Sequence, residues 1–152
     1  MSKLRVYLCH PMEGLLIPEE SQLRMKELIK LVGSNEYDWL LPEDWQASID
    51  KKDIVKVDYM KWDSSDIVIA DLWHIGLDRG DARVKALGSC WECGWTDERY
   101  RNPGKKKKKK LLIITRCPKN YHPFFESPGV TDFVQSVEEA ALWLKEKKWL
   151  KK

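Results

Sequence analysis

The chain has 152 residues, 43% of them hydrophobic, and a formal net charge of +3, enough for one domain with a core and too few for two of ordinary size. Two lysine-rich stretches, Lys105 to Lys110 and Lys145, Lys147, Lys148, Lys151 and Lys152, supply more than all of that charge, so the rest is acidic. A basic face spread over the fold is therefore not expected, nor is nucleic acid as a partner. The longest apolar runs, such as Leu111 to Thr115, fall far short of the roughly 20 residues that span a bilayer, and no membrane partner is expected.

Met1 leads almost directly into the apolar run Leu4 to Cys9, without the long apolar stretch and small-residue site of a secretory signal. The four cysteines are then expected as reduced thiols in the cytoplasm. Leu4 to Cys9 predicts a first strand, stopped by His10-Pro11. From Glu19 to Val32 the apolar residues recur mostly at helical spacing, with Gly33 as the C-cap. Tyr37 to Leu41 predicts a second short strand, then a loop with Pro42, Glu43, Asp44 and Trp45, and a second helix from about Ile49 to Asp63. Asp66 to Asp71 is a continuous apolar run between acids, the pattern of a strand covered on both faces.

A long polar loop is expected from Leu72 to Leu87, and Gly88-Ser89 opens a third helix through Tyr100. Asn102-Pro103-Gly104 breaks it, Leu111 to Thr115 is another buried strand, and 118–128 is expected as loop. Val130 to Val134 predicts a last short strand, and the capping-box sequence Ser136-Val137-Glu138-Glu139 starts a final helix through Trp149. Strands alternating with helices predict an α/β, Rossmann-like doubly wound parallel sheet of four to five strands. Ligands in such sheets sit beyond the carboxyl ends of the strands, which gathers Cys9 to Met12, Pro42 to Trp45, Asp71 to His74 and Arg116 to Asn120 with the start of the Gly88 helix.

Glu92 is the first candidate for chemistry. It stands one turn into a helix whose small first residues, Gly88 and Ser89, let a ligand approach backbone N–H groups that favour an anion. A glutamate there also serves simply to complement the helix dipole. Asp58 in the second helix and Asp71 at a strand end are the other acids to weigh, and Asp71 could equally cap the next loop. The Tyr7 hydroxyl could reach the site or belong to an ordinary strand aromatic. Among eight tryptophans, Trp45, Trp73, Trp91 and Trp95 fall near the predicted site, where an aromatic plane could stack on a base. Cys90-x-x-Cys93 is a single pair without the four ligands of a zinc site, so no metal or cofactor is expected. Six lysines at 105–110 between a Pro-Gly turn and a strand fit a solvated loop.

The order Val6-Tyr7-Leu8 with a following Pro11-Met12, Asp58 eight residues before Asp-Ile-Val-Ile-Ala-Asp, then Gly88-Ser89-x-Trp91-Glu92-x-Gly94 resembles the nucleoside 2-deoxyribosyltransferase family, including its relatives that hydrolyse nucleoside monophosphates. The resemblance runs from Leu4 to about Leu144 and implies a flavodoxin-like sheet, a nucleoside or nucleotide ligand and a site completed across a homodimer. It implies Glu92 as the nucleophile at the anomeric carbon, Asp58 as the residue that contacts and protonates the base, and Tyr7 as a strand residue beside that glutamate. Where transferases of the family often carry an Asp six residues before the glutamate, this chain has Ala86, and its loop 72–87 is longer and richer in Arg and Asp, with Asp78 and Asp81 as possible substitutes. Transferase, hydrolase and non-catalytic nucleotide binder therefore stay open. Arg79, Arg83 and Lys85 in that loop could hold a 5′-phosphate or pair with Asp78 and Asp81.

Overall fold

The computed structural model describes residues 2–10, 17–73, 87–118 and 123–151. Five parallel strands, β1 (Arg5–Cys9), β2 (Asp38–Leu40), β3 (Ile67–Asp71), β4 (Lys110–Ile114) and β5 (Asp132–Val134), form one sheet in the order β2-β1-β3-β4-β5. This is the flavodoxin-like order, whose direction of winding reverses between β1 and β3. The buried patterns of β1, β3 and β4 follow from helices on both faces.

Because side chains alternate along a strand, the sheet has two distinct faces. Val6, Leu8, Ile67, Ile69, Leu112 and Ile114 form one core with α1 (Ile17–Val32) and α5 (Val137–Lys145). Tyr7, Cys9, Val68, Ala70, Leu111 and Ile113 face the other way, against Trp45 and Trp62, which belong to α2 (Glu43–Gln46) and α3 (Ile54–Asp63). The fourth helix, α4 (Leu87–Arg101), contributes Cys93 and Trp95 to the edge of that second core. No described helix is long and apolar enough to cross a membrane, and no disulfide forms among the described residues.

Several boundaries differ from the sequence expectation. The segment after Pro42 is a helical turn rather than loop, favoured by Glu43 and Asp44 in its first turn. The second helix starts at Ile54 instead of Ile49, after a 3₁₀ turn at Lys51–Asp53. Another 3₁₀ turn, Pro123–Glu126, stands in the expected loop. The last helix stops at Lys145 instead of Trp149 because Lys147 takes a left-handed backbone, φ 49°, and a 3₁₀ turn, Lys148–Lys151, follows. Gly33 caps α1 as expected, at φ 115° with its N–H on the Ile29 carbonyl.

Candidate active site

Tyr7 and Cys9, two residues apart on β1, project from the same face near the carboxyl end of the strand. The Tyr7 hydroxyl donates to Glu92 Oε1 at 2.5 Å, in a buried setting. The Cys9 thiol is hydrogen-bonded to both Glu92 and Cys93. Burial and the adjacent Glu92 carboxylate drive the Tyr7 pKa far above its ordinary value. The bond to Cys93, followed by burial, likewise raises Cys9. Both groups are therefore permanent donors to the carboxylate rather than competing anions.

Opposing effects act on Glu92 itself. Burial is the largest and favours the neutral acid, the donated bond from Tyr7 favours the anion, and the charge of Asp58 opposes a second negative charge nearby; the carboxyl is pushed up to about 7. Asp58 is itself buried. Its Oδ1 accepts from Trp45 Nε1 at 2.8 Å and its Oδ2 from Gln46 Nε2 at 2.8 Å. Each oxygen keeps a second lone pair for a ligand.

The two helices that carry these acids are locked together one turn further on. Trp62, four residues after Asp58, donates from Nε1 to the Thr96 hydroxyl at 2.9 Å, and Thr96, four residues after Glu92, donates to the Glu92 carbonyl at 2.9 Å. The inward stripe of α4 is accordingly polar: Ser89, Glu92, Thr96 and Arg99 are all buried, whereas Trp91 is 65% exposed. Ser89 is 1% exposed and its hydroxyl has no hydrogen-bond partner among the described residues, an unmet demand one turn before Glu92 that a ligand oxygen can satisfy.

Of the expected site residues, the structure thus brings together Tyr7, Trp45, Asp58 and Glu92, with Ser89 and the backbone of Gly88 at the start of α4. Asp71 is not brought to them. It lies on the α1 side of the sheet, fully buried, where Oδ2 accepts from Arg24 at 3.0 and 2.8 Å and Oδ1 from the Trp73 N–H at 3.2 Å. Trp73 is flanked there by Arg24 and Arg116, at 5.9 and 4.5 Å from its ring, and Trp95 packs on Tyr59 and Trp62. Only Trp45 among the four candidate tryptophans joins the acids. Pro11, Met12, Arg79, Arg83 and the rest of loop 74–86 lie outside the described residues.

Three participants were not singled out by the sequence, although Cys9 and His10 lie in the strand-end segment expected at the site. Cys9 was detectable, because it shares its strand face with Tyr7. Gln46 carries no sequence signal. His10, which follows Cys9, is buried with Nε2 2.8 Å from Glu43 Oε2.

No family model and no curated protein sequence matches the chain. Solved structures do: a 2-deoxyribosyltransferase from Bacillus psychrosaccharolyticus, 12% identical, matches with a TM-score of 0.64 over 90% of this chain and 90% of its own. The chain has the 2-deoxyribosyltransferase fold. A conserved protein from Enterococcus faecalis V583 shares it at 14% identity, with a TM-score of 0.62 over 96% of this chain and 99% of that one. The CMP N-glycosidase BcmB of Clostridium botulinum shares it at 18% identity, with a TM-score of 0.57 over 94% and 98%. At these identities the likeness is one of fold, and the 2-deoxyribosyltransferase fold carries more than one activity among these neighbours.

Proposed function

We propose that this protein breaks the N-glycosidic bond of a nucleoside or nucleotide, with Glu92 as the nucleophile. The observation that carries the proposal is a buried carboxylate held by two neutral donors, Tyr7 and Cys9, with a second buried acid, Asp58, beside it. A purely structural glutamate would be neutralised by a cation. Here the surroundings instead poise it near neutrality.

In the proposed reaction a Glu92 oxygen bonds to the anomeric carbon as the C–N bond breaks and its electron pair leaves with the base. Asp58, held by Trp45 and Gln46, serves the departing base and supplies its proton. The glycosyl ester then yields to water, which gives hydrolysis, or to a second base, which gives 2-deoxyribosyl transfer. Developing oxocarbenium charge on the sugar is stabilised by the Glu92 anion. Ser89 and the N–H groups at the start of α4 support binding of an anionic or polar sugar oxygen, and Arg79 and Arg83 are proposed to extend this to a 5′-phosphate.

A homodimer belongs to the same proposal. Val55, Tyr59 and Met60 on α3 and Trp91 on α4 are exposed apolar side chains on the two helices that carry Asp58 and Glu92, a surface that a second copy would cover. Light scattering tests it.

The function is tested by incubating the protein with deoxynucleosides and their 5′-monophosphates, with and without an acceptor base, and separating free base by chromatography. Base release that disappears in Glu92→Ala is expected. Tight nucleotide binding with no release from any substrate would select a non-catalytic binder instead. The same assay in Arg79→Ala/Arg83→Ala is expected to lower the monophosphate preference about tenfold, since a charged contact to phosphate is worth roughly 1.5–3 kcal/mol.

A further inference from the structure

The two lysine-rich stretches, remote in sequence, border one recess. A cavity of about 460 Å³ is lined by Leu4, Asp66 and Ile67 at the amino ends of β1 and β3, by Asp63 to Ser65 after α3, by Arg99 of α4, by Lys106 to Lys110, and by Trp149. Trp149 sits in the C-terminal turn next to Lys148, with Lys151 two residues on. The recess is at the opposite end of the strands from Glu92, on the order of 15 Å away given about 3.3 Å per strand residue.

Some of these cations have structural work. Arg99 bonds Asp63 Oδ1 at 2.6 Å, Lys106 bonds both Asp63 oxygens at 3.1 Å, and Lys109 caps the end of α3 by donating to the Asp63 carbonyl at 2.9 Å and to the Ser65 carbonyl. Six cations nevertheless line the recess against two carboxylates, Asp63 and Asp66. Lys108 lies over the Tyr100 ring at 4.3 Å, and Lys105, Lys107 and Lys108 make no ion pair among the described residues. The positive charge continues past the recess on both sides, through Lys105 in the loop and, either side of Trp149, through Lys148, which pairs with Glu146 at 3.2 Å, and Lys151.

We infer that this pole binds the phosphodiester backbone of nucleic acid without reading its sequence, holding the protein by the end remote from Glu92. A small polyphosphate would engage only the recess, whereas an extended polyanion can neutralise the loop and tail lysines together. A bilayer surface is flat and cannot enter a concave recess, but a phosphate chain can. Lysines are hydrated point charges on flexible stems, suited to backbone contact rather than base readout. The body of the chain, acidic without the two stretches, would be repelled and orient the pole toward the strand.

The test is fluorescence anisotropy of a labelled 20-nucleotide single strand with the full chain between 50 and 200 mM salt. Three proteins are compared: wild type, Lys105→Gln/Lys107→Gln/Lys108→Gln, which spares Lys106 and Lys109, and Lys148→Gln/Lys151→Gln. Binding by wild type should weaken at least tenfold over that range. The triple variant should lower the log–log salt slope by about 2.1, at roughly 0.7 per phosphate contact on a single strand, and the tail variant by about 1.4. Secondary structure by circular dichroism should be unchanged in both. No binding at 50 mM salt, wild-type affinity in either variant, or binding to phosphatidylserine vesicles but not to the oligonucleotide would each overturn the inference.

Discussion

The Tyr7 hydroxyl donates to Glu92 Oε1 at 2.5 Å from the same face of β1 that carries the Cys9 thiol. Burial holds Glu92 toward its neutral form while this bond holds it toward its charged form, and the balance falls at about 7. A nucleophilic carboxylate must be ionised, so the acidic limb of kcat/KM is expected to rise with pH through about 7, while the proton that Asp58 must give the base limits the rate at higher pH. Tyr7→Phe removes a donor to the charged form, an interaction worth roughly 1.5–3 kcal/mol. It should move that limb upward by about one unit or more and cut the rate at pH 7 about tenfold. A limb unmoved in Tyr7→Phe would show that the bond does not tune Glu92.

The same balance has a cost in stability. Between the ordinary 4.5 and about 7, the folded state holds a proton on Glu92 that the unfolded chain releases, so this group's contribution to stability declines as pH rises across that window. Glu92→Gln carries no such charge. In urea denaturation it should exceed wild type by up to about 3 kcal/mol at pH 8, at 1.36 kcal/mol per unit, and the difference should shrink toward zero near pH 4.5. An equal difference at both pH values would place its cause in packing.

Asp58 accepts one N–H on each oxygen, from Trp45 and from Gln46. Asp58→Asn turns one acceptor into a donor facing a donor, so it should lose about 1–3 kcal/mol of stability and most of kcat, with KM changed little. Adding Gln46→Ala removes the conflict. The double variant should recover stability without recovering kcat; recovery of both would assign Asp58 to structure alone.

Asp71 and Arg24 form an ion pair on the α1 side of the sheet, the carboxylate fully buried. Arg24→Met leaves a buried charge unpaired and should cost about 3 kcal/mol or more, measured by chemical denaturation. Because Glu92 is on the other face, kcat/KM of the folded fraction should stay within about twofold. A large loss of activity would return Asp71 to the site.

Lys109 is 4% exposed and its Nζ caps the carbonyls of Asp63 and Ser65 while lying 4.8 Å from the Trp62 ring centroid. Burial, then the neighbouring Arg99, brings its pKa down to about 8. Lys109→Ala should therefore destabilise by about 2 kcal/mol, whereas the exposed Lys107→Ala should be neutral in the same denaturation measurement.

The strands were legible because β3 and β4 are unbroken apolar runs between polar residues, a pattern that only a two-sided sheet explains. The helices that matter for chemistry were less so. In α3 and α4 the buried residues include Asp58, Ser89, Glu92 and Thr96 while Met60 and Trp91 are exposed, the reverse of the amphipathic pattern from which helices are recognised. Such reversals concentrate at functional sites. Asp71 showed the converse limit: a strand-end acid looks the same in sequence whether it faces the ligand or, through the alternation of the strand, an arginine behind the sheet. The two lysine stretches likewise read as a loop and a tail until the chain brought Trp149 beside Lys106 to Lys110.

The central claim, a covalent role for Glu92, is tested most directly by acid-quenching the protein during incubation with a 2-deoxynucleoside or its 5′-monophosphate and mapping peptides by mass spectrometry. A glycosyl adduct on the peptide carrying Glu92, formed together with free base and lost in Glu92→Ala, is the predicted result. Base release that proceeds at the wild-type rate in Glu92→Ala, with no adduct at this residue, would contradict it.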